Sequence, residues 1–282
     1  MDEGALEPVD RGNLTRLLDK VRDDRGLDLA QYRPRYLERR IATRLLALGL
    51  VTYRQYAAYL DAHPEEYAKL LDALTIGVTQ FFRDASVFGF FRDHIVPEIV
   101  ERKADRHQSV IRAWSAGCAT GEEAYSIAMS LLTATRNGSA QRLLVQVVGT
   151  DIDGAALDTA RRAEYPIAQL EQIPEAERRA YVDVAGDRFR IRPEVTEHVR
   201  FEYLNLFEDR PARIVDVVFC RNVFIYFNRE DQERMLSTFW ERLVKGGYLV
   251  LGRSERLAPA LAKHFEVVSV RERIYRKPTH PQ

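Results

Sequence analysis

Apolar positions follow two rhythms along the chain. As far as residue 75 the rhythm is helical. Within YLERRIATRLLALGL, Leu37, Ile41, Leu45 and Leu48 recur at three- and four-residue spacing and share one face. LTRLLDKV before it, and TYRQYAAYL and PEEYAKLLDAL after it, carry the same pattern. Thr52 stands where a helix cap is needed and Pro64 lies near a helix start. No alternating, strand-like run interrupts them, so residues 1–75 are expected to form an all-helical N-terminal domain.

A linker at 76–90, containing TIGVTQFFRD, leads into the second rhythm. From 91 to 282, short β-rich runs alternate with helical ones. VIRAWS (110–115), LLVQVVGTD (143–151), IVDVVFC (214–220) and YLVLG read as strands, and FEVVSVRERIYRK as terminal strand material. EEAYSIAMSLL, DGAALDTARRA and REDQERMLSTFWERLV read as helices. Asn228 is placed to cap the last of these and KGG to end it. This alternation predicts an α/β domain with a doubly wound parallel sheet covered on both faces. About fifty residues before the third strand are too many for a plain loop. There LEQIPEAERRAYV reads as a short helix, and DRFRIR and HVRFEYL alternate around Gly186 and Asp187. A small antiparallel insertion with a wet outer face is expected at about 165–203.

Charge and composition narrow the function classes. The 42 basic and 42 acidic residues cancel, which argues against bulk attraction to nucleic acid or to a membrane surface. No apolar run is long enough for a transmembrane helix, and MDEGALEPVD lacks a signal-peptide core. Two cysteines, Cys118 and Cys220, make no disulfide framework, which fits a reduced, cytoplasmic setting. The histidines lack metal-ligand spacing, so no metal is expected. Nothing in the sequence demands assembly, and a monomer is the expectation.

Candidate chemistry gathers at strand ends. In a doubly wound sheet, ligands sit beyond the carboxyl ends of the strands. The first such turn, Ser115 to Gly121, offers Ala116 and the glycines 117 and 121, where a ligand can approach the backbone. It is not GxGxxG, which weakens a dinucleotide reading. Asp151, followed by Ile152 in GTDID, ends the second strand, where a carboxylate can accept both ribose hydroxyls of an adenosine. Glu122 fits a helix start by complementing the dipole, whereas Glu123 leans towards ligand contact. Carboxylates around a crease suit a cationic ligand, sulfonium or ammonium. The third strand runs into CRNVFIYF, where Asn222 offers both donors and acceptors and Tyr226 stands at the mouth. Cys118 has no activating base in view, and Cys220 reads as a small buried residue.

WSAGCATGEEAYSIAM, GTDID, YLNLF and FCRNVFIYF, with VTQFFRD before them, together resemble the chemotaxis receptor methyltransferase family (CheR type), in order from about residue 10 to residue 276. The resemblance implies a Rossmann-like methyltransferase sheet and S-adenosylmethionine as methyl donor, leaving S-adenosylhomocysteine. The implied acceptor is a glutamate side chain on the cytoplasmic helical bundle of a chemoreceptor, and the product a γ-glutamyl methyl ester. By motif position the family's cofactor contacts fall on Thr79, Arg83, Glu123, Asp151, Asn205, Leu206, Asn222 and Val223. Arg83 and Tyr226 fall near the transferring methyl, so the linker contributes to the active site. Two departures stand out. Gly77 occupies a position where the family commonly has Asn, so one polar contact is lost or passes to water. VDVAGDRFRI is short beside the glycine-rich loop of members that dock on a tethered receptor pentapeptide, which predicts no need for the tether.

The acceptor carboxylate, with an ordinary pKa of about 4.3, is already ionised at neutral pH. No general base is required, which accounts for the lack of a Ser-His-Asp or Cys-His arrangement. Alignment and desolvation remain, with Arg83 orienting the acceptor. Between residues 31 and 60, Arg33, Arg35, Arg39, Arg40, Arg44 and Arg54 face only Glu38. As a cluster, with Arg35, Arg39, Arg40 and Arg44 foremost, they suit docking of an acidic helical substrate. Two competing readings are a regulatory module that binds the cofactor or its product without turnover, kept alive by Gly77, and an NAD-linked dehydrogenase, which lacks the glycine fingerprint.

Overall fold

The computed structural model describes residues 11–25, 29, 32–74, 79–138, 143–208, 213–257 and 259–279. By internal contacts the chain separates into two compact units, Met1–Ile76 with Tyr226–Asn228, and Gly77–Ile225 with Arg229–Gln282.

The first unit is built from α1 (Arg11–Arg25), α2 (Pro34–Ala47), α3 (Tyr53–Ala62) and α4 (Glu66–Leu74). Local chemistry sets their ends. Pro34 opens α2 at a position where its missing N–H costs nothing. Thr52 and Gln55 form a reciprocal capping box on α3, with the Gln55 N–H donating to Thr52 Oγ1 (3.2 Å) and the Thr52 N–H to Gln55 Oε1 (3.0 Å). The helical stripes meet in a core of Leu17, Val21, Leu37, Ile41, Leu60 and Leu70, all essentially inaccessible.

In the second unit, α5 (Ala85–Phe90) passes through a π-turn at Phe91–Ile95 into α6 (Val96–Asp105). Then follow β1 (Val110–Ala116), α7 (Glu122–Gly138), β2 (Leu144–Asp151) and α8 (Gly154–Arg162). The insertion contains β3 (Glu164–Pro166), a 3₁₀ turn (Ile167–Gln172), α9 (Glu175–Tyr181), β4 (Val182–Ala185), β5 (Arg188–Ile191) and α10 (Pro193–Thr196). The sheet resumes with β6 (Val199–Tyr203), β7 (Val215–Cys220), α11 (Arg229–Arg242) and β8 (Leu243–Leu251), and closes through α12 (Pro259–Ala262), β9 (Glu266–Ser269) and β10 (Ile274–Arg276).

The main sheet has seven strands in the order β6-β2-β1-β7-β8-β10-β9, and the small sheet the order β3-β5-β4. Strands β6 to β8 run parallel, and β10 is antiparallel to both neighbours. Strand order reverses between β1 and β7, where a doubly wound sheet opens a crevice. One face packs Ile111, Ala113, Val145 and Val147 against the segment from α5 to α7. On the other, Trp114 meets Phe239 of α11 edge to face at 5.1 Å.

Two expectations are corrected. HVRFEYL is not part of the antiparallel insertion: β6 pairs in parallel with β2, from Val147 opposite Val199 to Asp151 opposite Tyr203. Being an edge strand, β6 buries Val199 while exposing Arg200 and Glu202, so it shows the alternation of a half-wet antiparallel strand. The sheet is also mixed, because the terminal strand material folds as the antiparallel pair β9 and β10.

Candidate active site

The turn after β1 is pinned to β2. The N–H groups of Gly117 and Cys118 both donate to the Thr150 carbonyl (2.8 and 3.0 Å), and Trp114 Nε1 donates to Thr150 Oγ1 (2.9 Å). Gly117 has φ +77°, and a Cβ there would lie 2.6 Å from Val223 Cγ2, so only glycine lets the turn pass so close to the end of β7. Ala116 is buried beneath it.

Asp151 holds this turn from the neighbouring strand end. Its Oδ2 accepts from the Ala119 N–H (2.7 Å) and its Oδ1 from the Asp153 N–H (3.0 Å). A carboxylate offers about four lone-pair directions, so capacity remains for two hydroxyl donors. Burial pushes its pKa up, with the backbone donors pulling the other way. Ile152 beside it is half-buried. Asn205 and Leu206 follow β6 on the same side: the Leu204 N–H donates to the Asp151 carbonyl (3.0 Å), and Asn205 Oδ1 accepts from the Phe207 N–H (3.1 Å).

Both glutamates at the start of α7 point inward. Glu123 Oε1 accepts from Ser115 Oγ (2.7 Å), and its Oε2 lies 3.6 Å from the Arg221 guanidinium. Burial raises its pKa, while Arg221, Ser115 and the charge of Arg83 oppose the shift. Glu122 is 2% exposed and accepts from Thr120 Oγ1 (2.7 Å), so its carboxylate serves the interior rather than a solvated helix end. Cys118 and Cys220 are buried, and burial drives both thiols far up, away from nucleophilic use.

Beyond β7, Asn222 takes a left-handed conformation, φ +61°. One carboxylate gathers this turn: Glu255 accepts from the N–H groups of Asn222 (2.9 Å), Phe224 (2.7 Å) and Gly252 (2.7 Å). Asn222 Oδ1 is buried and has no hydrogen-bond partner among the described residues.

The segment before α5 carries Thr79, half-buried, and Arg83. Gly77 lies outside the described residues. The Phe81 N–H donates to Gln172 Oε1 (3.1 Å) and the Phe82 N–H to Ser126 Oγ (2.9 Å). Phe82 and Asp84, on either side of Arg83, both have positive φ (49° and 59°). Arg221 braces them, with Nη1 donating to the Arg83 carbonyl (2.9 Å) and Nη2 pairing with Asp84.

In the helical unit the Tyr226 ring packs on Tyr36 (4.9 Å), and its carbonyl accepts from the Arg33 N–H (2.8 Å). Arg35 and Arg39 are exposed, and the Arg40 guanidinium lies 5.6 Å over the Tyr36 ring. Arg44 differs from them. It pairs with Glu66 (2.7 Å), a glutamate 1% exposed that also accepts from Tyr56 Oη (3.1 Å). Its charge is committed within the helical core.

Reading the sequence missed Glu255, Arg221 and Asp84. A signal existed for two of them. Arg221 directly follows a strand that is buried along its whole length, and Glu255 follows the last parallel strand much as Asp151 ends the second. A charge in such a place must find partners or a ligand.

Residues 77–274 match the family model described as "CheR methyltransferase, SAM binding domain", and residues 13–75 match "CheR methyltransferase, all-alpha domain". A chemotaxis protein methyltransferase of Borreliella burgdorferi is 30% identical over 254 residues, covering 88% of this chain and 89% of that one. Chemotaxis protein methyltransferase 2 of Pseudomonas aeruginosa is 34% identical, covering 83% of each chain. An uncharacterized 104.1 kDa protein of Rhodobacter capsulatus is 32% identical over 96% of this chain, which spans 28% of that protein.

Proposed function

The chain belongs to the CheR methyltransferase family, and from that premise we propose that it methylates glutamate side chains on the cytoplasmic helices of a chemoreceptor, forming γ-glutamyl methyl esters. The observation that carries this reading is the set of carboxylates at the strand ends. Glu123, Asp151 and Glu255 are all pushed up by burial, and the Arg221 guanidinium, 3.6 Å from Glu123 and also paired with Asp84, together with the charge of Arg83, offsets part of this at Glu123. Such a site favours a cation.

S-adenosylmethionine supplies, when bound, a methyl group activated by a sulfonium. Around it, Asp151 accepts from ribose hydroxyls, Asn222 Oδ1 takes a ligand N–H, and Glu123 faces positive charge. Gly117 lets the ligand lie against backbone, and Val223, Ala116, Ile152 and Leu206 wall the crease. Thr79 and Asn205 add polar contacts. Arg83 orients the incoming carboxylate. The acceptor is ionised at neutral pH, so the protein's contribution is alignment and exclusion of water, which can supply roughly 7–11 kcal/mol in favourable models.

Arg35, Arg39 and Arg40 dock the acidic helices. A hairpin of two four-residue strands, β4 and β5, turning at Gly186, supports docking without a receptor tether. Incubation with methyl-labelled donor and receptor fragments tests the proposal. Base-labile, volatile label supports ester formation, and tight cofactor binding without label overturns it in favour of a regulatory binding module. Fragments with and without the receptor's C-terminal tail should be methylated equally. The pair Arg39→Glu and Arg40→Glu should lower the rate several-fold at low salt, with the deficit shrinking as salt rises. Unchanged kinetics would remove the arginines from docking.

A further inference from the structure

Glu255 lies outside every motif that first drew attention to the site, yet its carboxylate is 3% exposed and receives three backbone N–H donors from two strand ends. Oε1 takes Phe224, and Oε2 takes both Asn222 and Gly252. The donors on Asn222 and Phe224 flank Val223, so one side chain fixes the whole turn between them. That turn has a cost. Asn222 sits at φ +61°, where a residue with a Cβ is disfavoured unless its surroundings hold it. The space below is equally specific. A Cβ on Gly252 would stand 2.6 Å from Glu255 Oε2 and 2.8 Å from the Asn222 nitrogen. The outcome of this arrangement is Asn222 Oδ1, buried and unpartnered among the described residues. An unmet buried acceptor is destabilising, so the fold carries a penalty that a ligand donor can relieve.

We propose that Glu255 is a positioning residue for the cofactor: by clamping the Asn222, Phe224 and Gly252 amides it holds Asn222 in its left-handed conformation and aims Oδ1 at a cofactor N–H. This rests on the reading of the crease as an adenosyl site. Two groups of the cofactor carry suitable hydrogens, the purine 6-amino group and the α-ammonium of the amino-acid arm.

Calorimetry on the full chain with S-adenosylhomocysteine tests it, together with two analogues, S-inosylhomocysteine (no 6-amino group) and the deaminated thiobutyrate (no α-ammonium). The wild type should discriminate against one of them by about tenfold or more, because its acceptor then stays unmet. Asn222→Ala should abolish that discrimination. Glu255→Gln, which sets an amide where three donors converge, should abolish it too, and should add less than about threefold in the Asn222→Ala background. Because Glu255→Gln can fail to fold, Gly252→Ala displaces the same carboxylate without changing charge and should also erase the discrimination, whereas Glu255→Asp should restore part of it. A merely structural Glu255 would lower thermal stability equally in both backgrounds and leave the analogue preference intact, which overturns the proposal. A wild type that binds the cofactor but prefers neither analogue also overturns it. A wild type that binds no adenosyl compound sinks the functional reading itself, a distinguishable result.

Discussion

The two ends of strand β7 treat buried charge in opposite ways. Near its amino end, Asp216 is 1% exposed and fully matched: Oδ1 meets Lys103 (2.8 Å) and Arg102 (3.2 Å), and Oδ2 accepts from the Arg112 N–H (2.9 Å). Past its carboxyl end, Glu123 has the Arg221 guanidinium at 3.6 Å and feels the charge of Arg83; Asp151 and Glu255 are held by backbone N–H groups; and burial pushes all three towards protonation. The first arrangement is complete and needs nothing further. The second is held in place by backbone N–H groups and the Ser115 hydroxyl, with fewer ion pairs among the described residues. A ligand-binding end can be told from a structural end by which carboxylates still lack a counter-charge.

The largest effect should come from breaking the complete end. Asp216→Ala leaves Lys103 and Arg102 without their partner and should cost about 3–5 kcal/mol in chemical denaturation, with cofactor affinity per folded molecule unchanged. Next, Arg83→Ala should slow methyl transfer by about 10²–10³-fold while S-adenosylhomocysteine binds within a few-fold of normal, since an orienting group acts on the acceptor. A normal rate would remove Arg83 from the mechanism. Third, Asp151→Ala should weaken cofactor binding by about 10–100-fold in calorimetry, with a smaller loss of stability than Asp216→Ala. The smallest effect sharpens the contrast through pH. Because Glu123, Asp151 and Glu255 have raised folded pKa values, their contribution to stability is present below the unfolded carboxylate range and is lost as pH rises through the raised values. Cation binding has the opposite sign, because it favours the ionised forms. S-adenosylmethionine should therefore bind more tightly as pH rises through that window and release protons on binding, measurable in buffers of different ionisation enthalpy. Pairing that ignores pH would mean the carboxylates are not facing the cation.

How much of this was legible beforehand depended on range. Helix ends, the βα alternation and the crease with Asp151 are local and were readable from Thr52, the Ser115–Gly121 turn and GTDID. The placement of β6 was not, because an edge strand of a parallel sheet and an antiparallel strand can show the same alternation. Arg44 reads as one more basic residue on a helix until Glu66, on another helix, takes its charge. Glu255 was invisible for a similar reason: its partners are main-chain amides that converge only when β7 and β8 lie side by side.

The order of the last strands bears on how the chain is made. β10 leaves the ribosome after β9, yet it must slot between β9 and β8. Until it arrives, β8 presents an unfilled row of amides and carbonyls to any neighbouring polypeptide. A nascent chain stalled after β9 should therefore be more prone to misassociation than one that has emerged a few residues further.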